Sequence, residues 1–213
     1  MAFNILFKRY PALLPLKKDI LRVNEIICSA LLVGNKVLLA GNGGSASDCD
    51  HFAGELLKNF MQMRPLPKKL QAALKRQFGT EGMDLANTLQ YGLPAIPLHS
   101  FTGFLTAYGN DLDFDLAYAQ LVQALGKKDD VLICFTTSGH SKNLITAAQM
   151  AKVMDIKVVG FTGRGGGAVA GLCDAFVNVE GSNSFTVQEW HLPIYHAICL
   201  EAEERLVRKL GQR

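Results

Sequence analysis

Two nucleotide-binding signatures are missing from this chain. No GxGxxG motif and no lysine in P-loop position accompany its glycine-rich loops, so neither a dinucleotide nor a nucleoside triphosphate is indicated. Charge is sparse as well. Charged residues make up 19% of the 213, and a formal net charge of +3 is too slight to argue for nucleic acid. The five cysteines (Cys28, Cys49, Cys134, Cys173, Cys199) show no CxxC spacing, which argues against a disulfide framework and for reduced thiols in a cytoplasmic protein. No apolar run approaches membrane-spanning length and no charged-then-apolar leader opens the chain, so a soluble protein without a membrane partner is expected. With 49% hydrophobic residues, the length suits one substantial core, read as a single α/β domain over 1–213.

The most informative stretch is 36–55, KVLLAGNGGSASDCDHFAGE. A short apolar run passes into Gly41, Asn42, Gly43, Gly44 and Ser45 and then into a helical pattern, which predicts a strand feeding a glycine-rich turn at a helix N-terminus. Glycines let the backbone approach an anion, and the first helical N–H groups are unpaired donors at the positive end of the dipole. His51 and Glu55, four residues apart, share one face of that helix. An anion cradle beside an imidazole and a carboxylate points to a site for a phosphorylated small molecule.

Around this stretch strands alternate with helices. Apolar residues at helical spacing predict a leading helix over 11–34, apolar widely enough to pack against a partner subunit. Strands are expected at 36–40, 95–98, 130–136, 157–162 and 175–179, with helices over 45–61, 115–125, 142–154 and 186–210. The strand in DVLICFT is continuously apolar, as in sheets covered on both faces. The fold class is therefore α/β, a doubly wound parallel sheet flanked by helices. The segment 63–92 breaks the rhythm with Pro65 and Pro67, a short basic helix over 68–76, and Gly79 and Gly82. That basic helix reads as a solvated face before it reads as a nucleic-acid contact.

The loop TTSGHS at 136–141 occupies the same strand-to-helix position as 41–45 and offers hydroxyls from Thr136, Thr137, Ser138 and Ser141. Either loop alone is an ordinary helix start. Two of them at the carboxyl ends of parallel strands favour phosphate binding. A second cluster lies in VQEWHLPIYH, where Gln188 and His196 sit about 80° apart on an ideal helix and His191 flanks the same face. Histidines on an apolar helix are more often satisfied core residues. With His51 and Glu55, however, Gln188 and His196 could form a four-ligand site suited to zinc. Pro193 removes a hydrogen bond to Glu189 O, and a kink is expected there.

Taken together, these residues resemble the sugar isomerase (SIS) domain family, and within it the bacterial phosphoheptose isomerases. Five motifs in order carry the resemblance: GNGGSASDCDHFAGEL, GND at 109–111, TTSGHS at 136–141, FTGRGGG at 161–167 and QEWHLPIYH at 188–196. The resemblance spans nearly the whole chain outside 63–92. It implies a flavodoxin-like three-layer sandwich and an aldose–ketose isomerisation of sedoheptulose 7-phosphate to D-glycero-D-manno-heptose 7-phosphate through an enediol, feeding lipopolysaccharide or other surface-glycan synthesis. By matching position it implies sugar contacts from Asn42, Gly43, Gly44, Asn110, Asp111 and Gln188, and phosphate contacts from Thr136, Thr137, Ser138 and Ser141. It further implies zinc ligation by His51, Glu55, Gln188 and His196, with Glu55 and His196 as the catalytic pair. A carboxylate that ligates zinc is a weaker base, so the isomerase expectation stands separately from zinc. Thr136 and His140 stand where the family commonly has Ser and Asn, and 63–92 is longer than usual.

The same resemblance admits a reading from another class, a non-catalytic phosphosugar-binding scaffold that associates with the replication initiator. Retention of Glu55 and His196 argues against it; the basic helix 68–76 argues for it. The resemblance also implies a homotetramer with active sites between subunits.

Overall fold

β-Branched and apolar residues concentrate in five short runs, and these pair into one sheet. The strands are β1 (Val37–Gly41), β2 (Ala95–Pro97), β3 (Val131–Phe135), β4 (Lys157–Thr162) and β5 (Ala175–Asn178). All pairings are parallel, in the order β2-β1-β3-β4-β5. That is the flavodoxin-like order of doubly wound sheets. The computed structural model describes residues 1–211, so positions 212–213 of the expected single domain lie outside the described residues.

Strand side chains alternate between two cores. Val37, Leu39, Ile133, Phe135 and Phe161 face α1 (Ala2–Arg9), α2 (Lys17–Val33), α3 (Gly44–Leu57) and α9 (Ser184–Gly211). Leu38, Ala40, Leu132, Cys134 and Val158 face α6 (Phe114–Leu125) and α7 (Lys142–Val153). With both faces covered, every residue of β1 and β3 is buried, and the three-layer sandwich expected from the resemblance is present. Cys28, Cys49, Cys134 and Cys199 are buried and all five cysteines are free thiols. Among the described residues no helix is long and apolar enough to cross a membrane.

Several boundaries differ from expectation for local reasons. The leading helix over 11–34 starts at Lys17, because Pro11 and Pro15 tighten 11–16 into a 3-10 turn; the separate α1 precedes it. It ends at left-handed Gly34 (φ 95°). α3 stops at Leu57, where Lys58 turns extended, rather than at Met61. α5 (Thr102–Asp111), which carries the GND motif at its end, was not expected as a helix; its apolar moment is weak and none of its residues is buried. A one-turn α8 (Gly167–Ala170) follows the FTGRGGG motif. Pro193 sits inside α9 without ending it, since packing against α1, α2 and α3 outweighs the lost bond.

Segment 63–92 forms an arm. α4 (Lys68–Thr88) folds on itself at Gly79 (φ 57°, ψ −126°), and Gly82 presses on the Leu74 carbonyl so closely that a Cβ would come within 2.1 Å of it. Only Gly82 of this helix is buried. The arm is closed at its base, where Tyr91 N donates to Arg64 O at 2.7 Å.

Candidate active site

β1 and β3 are neighbours, and Gly41 pairs in register with Phe135, so the turns that follow them open side by side at the switch point of the sheet. The two turns are stitched by reciprocal amides: Asn42 Nδ2 donates to Asn143 Oδ1 at 3.0 Å, and Asn143 Nδ2 to Asn42 Oδ1 at 2.9 Å. Gly43 holds φ 56°, which L residues rarely adopt, to start α3. A Cβ on Gly44 would lie 2.6 Å from the Gln188 amide nitrogen, so any larger residue there would push the Gln188 side chain aside.

Between the turns lies a cavity of about 230 Å³ lined by Asn42, Gly44, Ser45, Thr136, Thr137, Ser141, Ser184 and Gln188 among others. Hydroxyls and helix-start amides converge there with no carboxylate on its walls, which suits a phosphate. The four expected hydroxyls divide the work. Thr137 and Ser141 line the cavity; Thr136 lines it too but accepts from Gly139 N at 3.0 Å, so it also shapes the turn. Ser138 accepts from His140 N at 3.2 Å and stays outside, as does exposed His140. Ser184, whose hydroxyl is 3.2 Å from that of Thr137, adds the first turn of α9. Asn143, Ser45 and Ser184 were not singled out from sequence. Ser45 was legible in the glycine loop and Ser184 as the residue one turn before Gln188; nothing local marks Asn143.

The second half of the site lies further along α3 and α9. His51 Nε2 is 3.4 Å from Glu55 Oε1, and His196 Nε2 is 3.3 Å from His51 Nε2. Tyr195 hydroxyl braces the other nitrogen of His51 at 3.1 Å and reaches Asp48 Oδ1 at 3.4 Å. Burial pushes Asp48 up to about 6, although the Tyr195 hydroxyl and His51 both favour its charged form. Burial, then the neighbouring His51, holds His196 below the usual histidine value, with Glu55 opposing. Glu55 Oε2 is buried with no hydrogen-bond partner and lies 3.7 Å from Lys58 Nζ.

Not every expected residue joins this cluster. The Gln188 amide points toward Ser45 Oγ at 3.5 Å, in the cavity between the turns, eight residues and about 12 Å along α9 from His196. His191 is fully enclosed between Phe135 and Phe161, with Nε2 3.4 Å from Thr162 O, and is a core residue. Asn110 and Asp111 lie at the exposed end of α5, where Asn110 Nδ2 donates to Asp111 Oδ1 at 2.9 Å, and neither lines the cavity.

Two nitrogens, or a nitrogen and an oxygen, 3.3 to 3.4 Å apart match the edge of a tetrahedron with zinc bonds of about 2.0 to 2.1 Å. The unpartnered Glu55 Oε2 fits the same use. Among the described residues, no three His, Cys, Asp or Glu side chains close into a complete metal-holding group. The fit is thus in donor type and in the two contacts that share His51.

Comparison with known proteins gives this geometry its relatives. The SIS domain family matches residues 72–163. The phosphoheptose isomerase of Burkholderia pseudomallei (strain 1710b) is 37% identical over 188 residues, covering 88% of this chain and 82% of that protein. The chain belongs to the phosphoheptose isomerase family. The probable phosphoheptose isomerase of Thermoplasma acidophilum shares 34% identity over 88% of this chain. Among solved structures, the phosphoheptose isomerase of Neisseria gonorrhoeae superposes with a TM-score of 0.73 at 31% identity, covering 95% of each chain.

Proposed function

We propose that the chain is a phosphosugar isomerase converting sedoheptulose 7-phosphate to D-glycero-D-manno-heptose 7-phosphate through an enediol. The observation that carries this is the spacing of two sub-sites on one pair of helices. Ser45 and Gln188 mark the phosphate end; His51 and His196 lie about 9 and 12 Å further along α3 and α9, with Glu55 one turn beyond His51, so an extended sugar phosphate can hold its phosphate in one and its carbonyl in the other. The retained acid–base cluster supports the enzyme over a non-catalytic scaffold.

In this mechanism the Glu55 carboxylate takes a proton from C1 of the ketose and returns it to C2. His196, neutral at physiological pH, passes the hydroxyl proton between O1 and O2. His51 orients His196, and Tyr195 fixes the His51 tautomer. Thr137, Ser141 and the amides at the start of α3 and α7 hold the phosphate, so that binding energy remote from the reacting carbons sets their position.

Zinc is proposed as a cofactor held by His51, Glu55 and His196, with Gln188 completing the set only after its amide turns from Ser45. Such an ion would polarise the carbonyl and stabilise the enediolate. A homotetramer in the cytoplasm is proposed too. Its support is an apolar groove of about 490 Å³ beside His196, walled by Ile5, Leu6, Tyr10, Phe60 and Pro193.

The test is NMR of sedoheptulose 7-phosphate in deuterated buffer. Deuterium incorporation at carbon with aldose formation supports the isomerase; no exchange with or without zinc defeats it.

A further inference from the structure

Arg64 and Glu203 form a buried pair, with side chains 0% and 1% exposed, that the steps above do not use. Glu203 of α9 gathers three consecutive amides: Oε1 accepts from Phe60 N at 2.6 Å, and Oε2 from Met61 N at 2.8 Å and Gln62 N at 2.9 Å. Arg64 donates to the end of α3, from Nη1 to Leu56 O at 2.8 Å and from Nη2 to Glu55 O at 3.0 Å. Its Nε lies 3.3 Å from Glu203 Oε1 without hydrogen-bond alignment. The two side chains are therefore joined by charge, while each spends its directional bonds on backbone.

Their placement ties them to the chemistry. The residue whose carbonyl the guanidinium caps is Glu55, the candidate base. Glu203 lies seven residues beyond His196 on α9, two turns along and on the same side. The segment that Glu203 pins carries Phe60, whose ring centroid is 5.5 Å from that of His196. α3 ends at Leu57 with its last carbonyls turned inward, and buried carbonyls without partners are costly. Arg64 donates to both Glu55 O and Leu56 O, the latter also accepting from Leu93 N at 2.9 Å.

We propose that the Arg64–Glu203 pair is a positioning device that clamps the end of α3 to α9, so that the Glu55 carboxylate and His196 imidazole keep the mutual placement proton transfer needs. A planar fork is required because two carbonyls on successive residues must be met at once; an ammonium keeps the charge but cannot span both. The catalytic consequence rests on the isomerase reading, and the clamp itself rests on geometry alone.

The deciding variant is Arg64→Lys in the full-length protein, with Glu203→Asp as the second should the first fail to fold. The expected result is a kcat lower by about ten-fold or more with KM within about two-fold, since misplacement at the reacting end leaves the phosphate end intact. Amide hydrogen exchange is expected to quicken at 54–57 and 60–62. Unchanged kcat, or a rise in KM matching the fall in kcat, overturns the positioning role. If the wild type turns over no ketose phosphate, the isomerase reading falls by itself. Exchange then decides the clamp: unchanged rates at 54–57 overturn it, faster rates uphold it.

Discussion

His196 Nε2 faces His51 Nε2 across 3.3 Å, two imidazole nitrogens brought together from α3 and α9. One must donate and the other accept, so a second proton on the pair is disfavoured. Burial is the larger reason that His196 titrates low, and His51 adds to it. The His196 ring proton followed by NMR should therefore show a midpoint below 6.5, moving part of the way back in His51→Asn. A wild-type midpoint at or above 6.5 would contradict the geometry.

Glu55→Gln removes the base but keeps the side-chain volume and one oxygen. A positioned acid–base group is worth about 10² to 10⁴ in rate. We expect kcat to fall by about 10³ with KM little changed, because the phosphate cavity lies elsewhere on α3. Retention of more than about a tenth of wild-type kcat would remove Glu55 from the proposed role.

His191 makes stability pH-dependent. It is enclosed in the core, and burial lowers its pKa from 6.5 to about 4, with the Thr162 carbonyl opposing. Below pH 6.5 the unfolded chain binds a proton here that the folded chain refuses until about pH 4, so stability falls as pH drops through that window. The contribution lost between pH 7 and pH 5 is about 2 kcal/mol. Urea unfolding at both pH values should show it, and His191→Leu should flatten the difference. A wild-type stability that is level across this range would argue that His191 is not the buried neutral residue seen here.

The turn at 136–141 depends on a residue that cannot be enlarged. Gly139 holds φ 70°, and a Cβ there would lie 2.0 Å from the Gly166 carbonyl oxygen, so the TTSGHS turn and the FTGRGGG turn are locked together. Gly139→Ala should lower stability by about 3 kcal/mol or more and weaken phosphate binding with it. Gly103, at the exposed start of α5 with nothing near its Cβ direction, is the control. Gly103→Ala should leave the thermal midpoint unchanged or slightly raised. Equal effects of the two substitutions would show that the close approach is not what matters.

The sheet was legible because its strands are apolar runs bounded by Gly and Pro, and parallel order follows from their alternation with helices. The two turns that wall the cavity were legible because glycines and hydroxyls sit at two strand ends. What sequence could not convey is side-chain direction: Gln188 shares α9 with His196, but its amide lies against Ser45. The same holds for His191, whose spacing fits a ligand but whose ring is enclosed by Phe135 and Phe161 from strands far away in the chain. The Arg64–Glu203 clamp joins residues 139 positions apart and leaves no periodic trace.

The arm at 68–88 bears on assembly. Its first half carries Lys68, Lys69, Lys75 and Arg76, and its second half Glu81 and Asp84, so two copies laid antiparallel would match opposite charges. Leu70, Phe78, Met83 and Leu85 are exposed on it, more apolar surface than an isolated hairpin keeps in water without a partner. Light scattering should report four chain masses for the wild type, and the double variant Phe78→Glu with Leu85→Glu should give a smaller species whose circular dichroism is unchanged. A monodisperse wild-type monomer would defeat the tetramer. A tetramer untouched by both substitutions would remove the arm from the contact and leave the groove beside His196 as the surface that holds the subunits together.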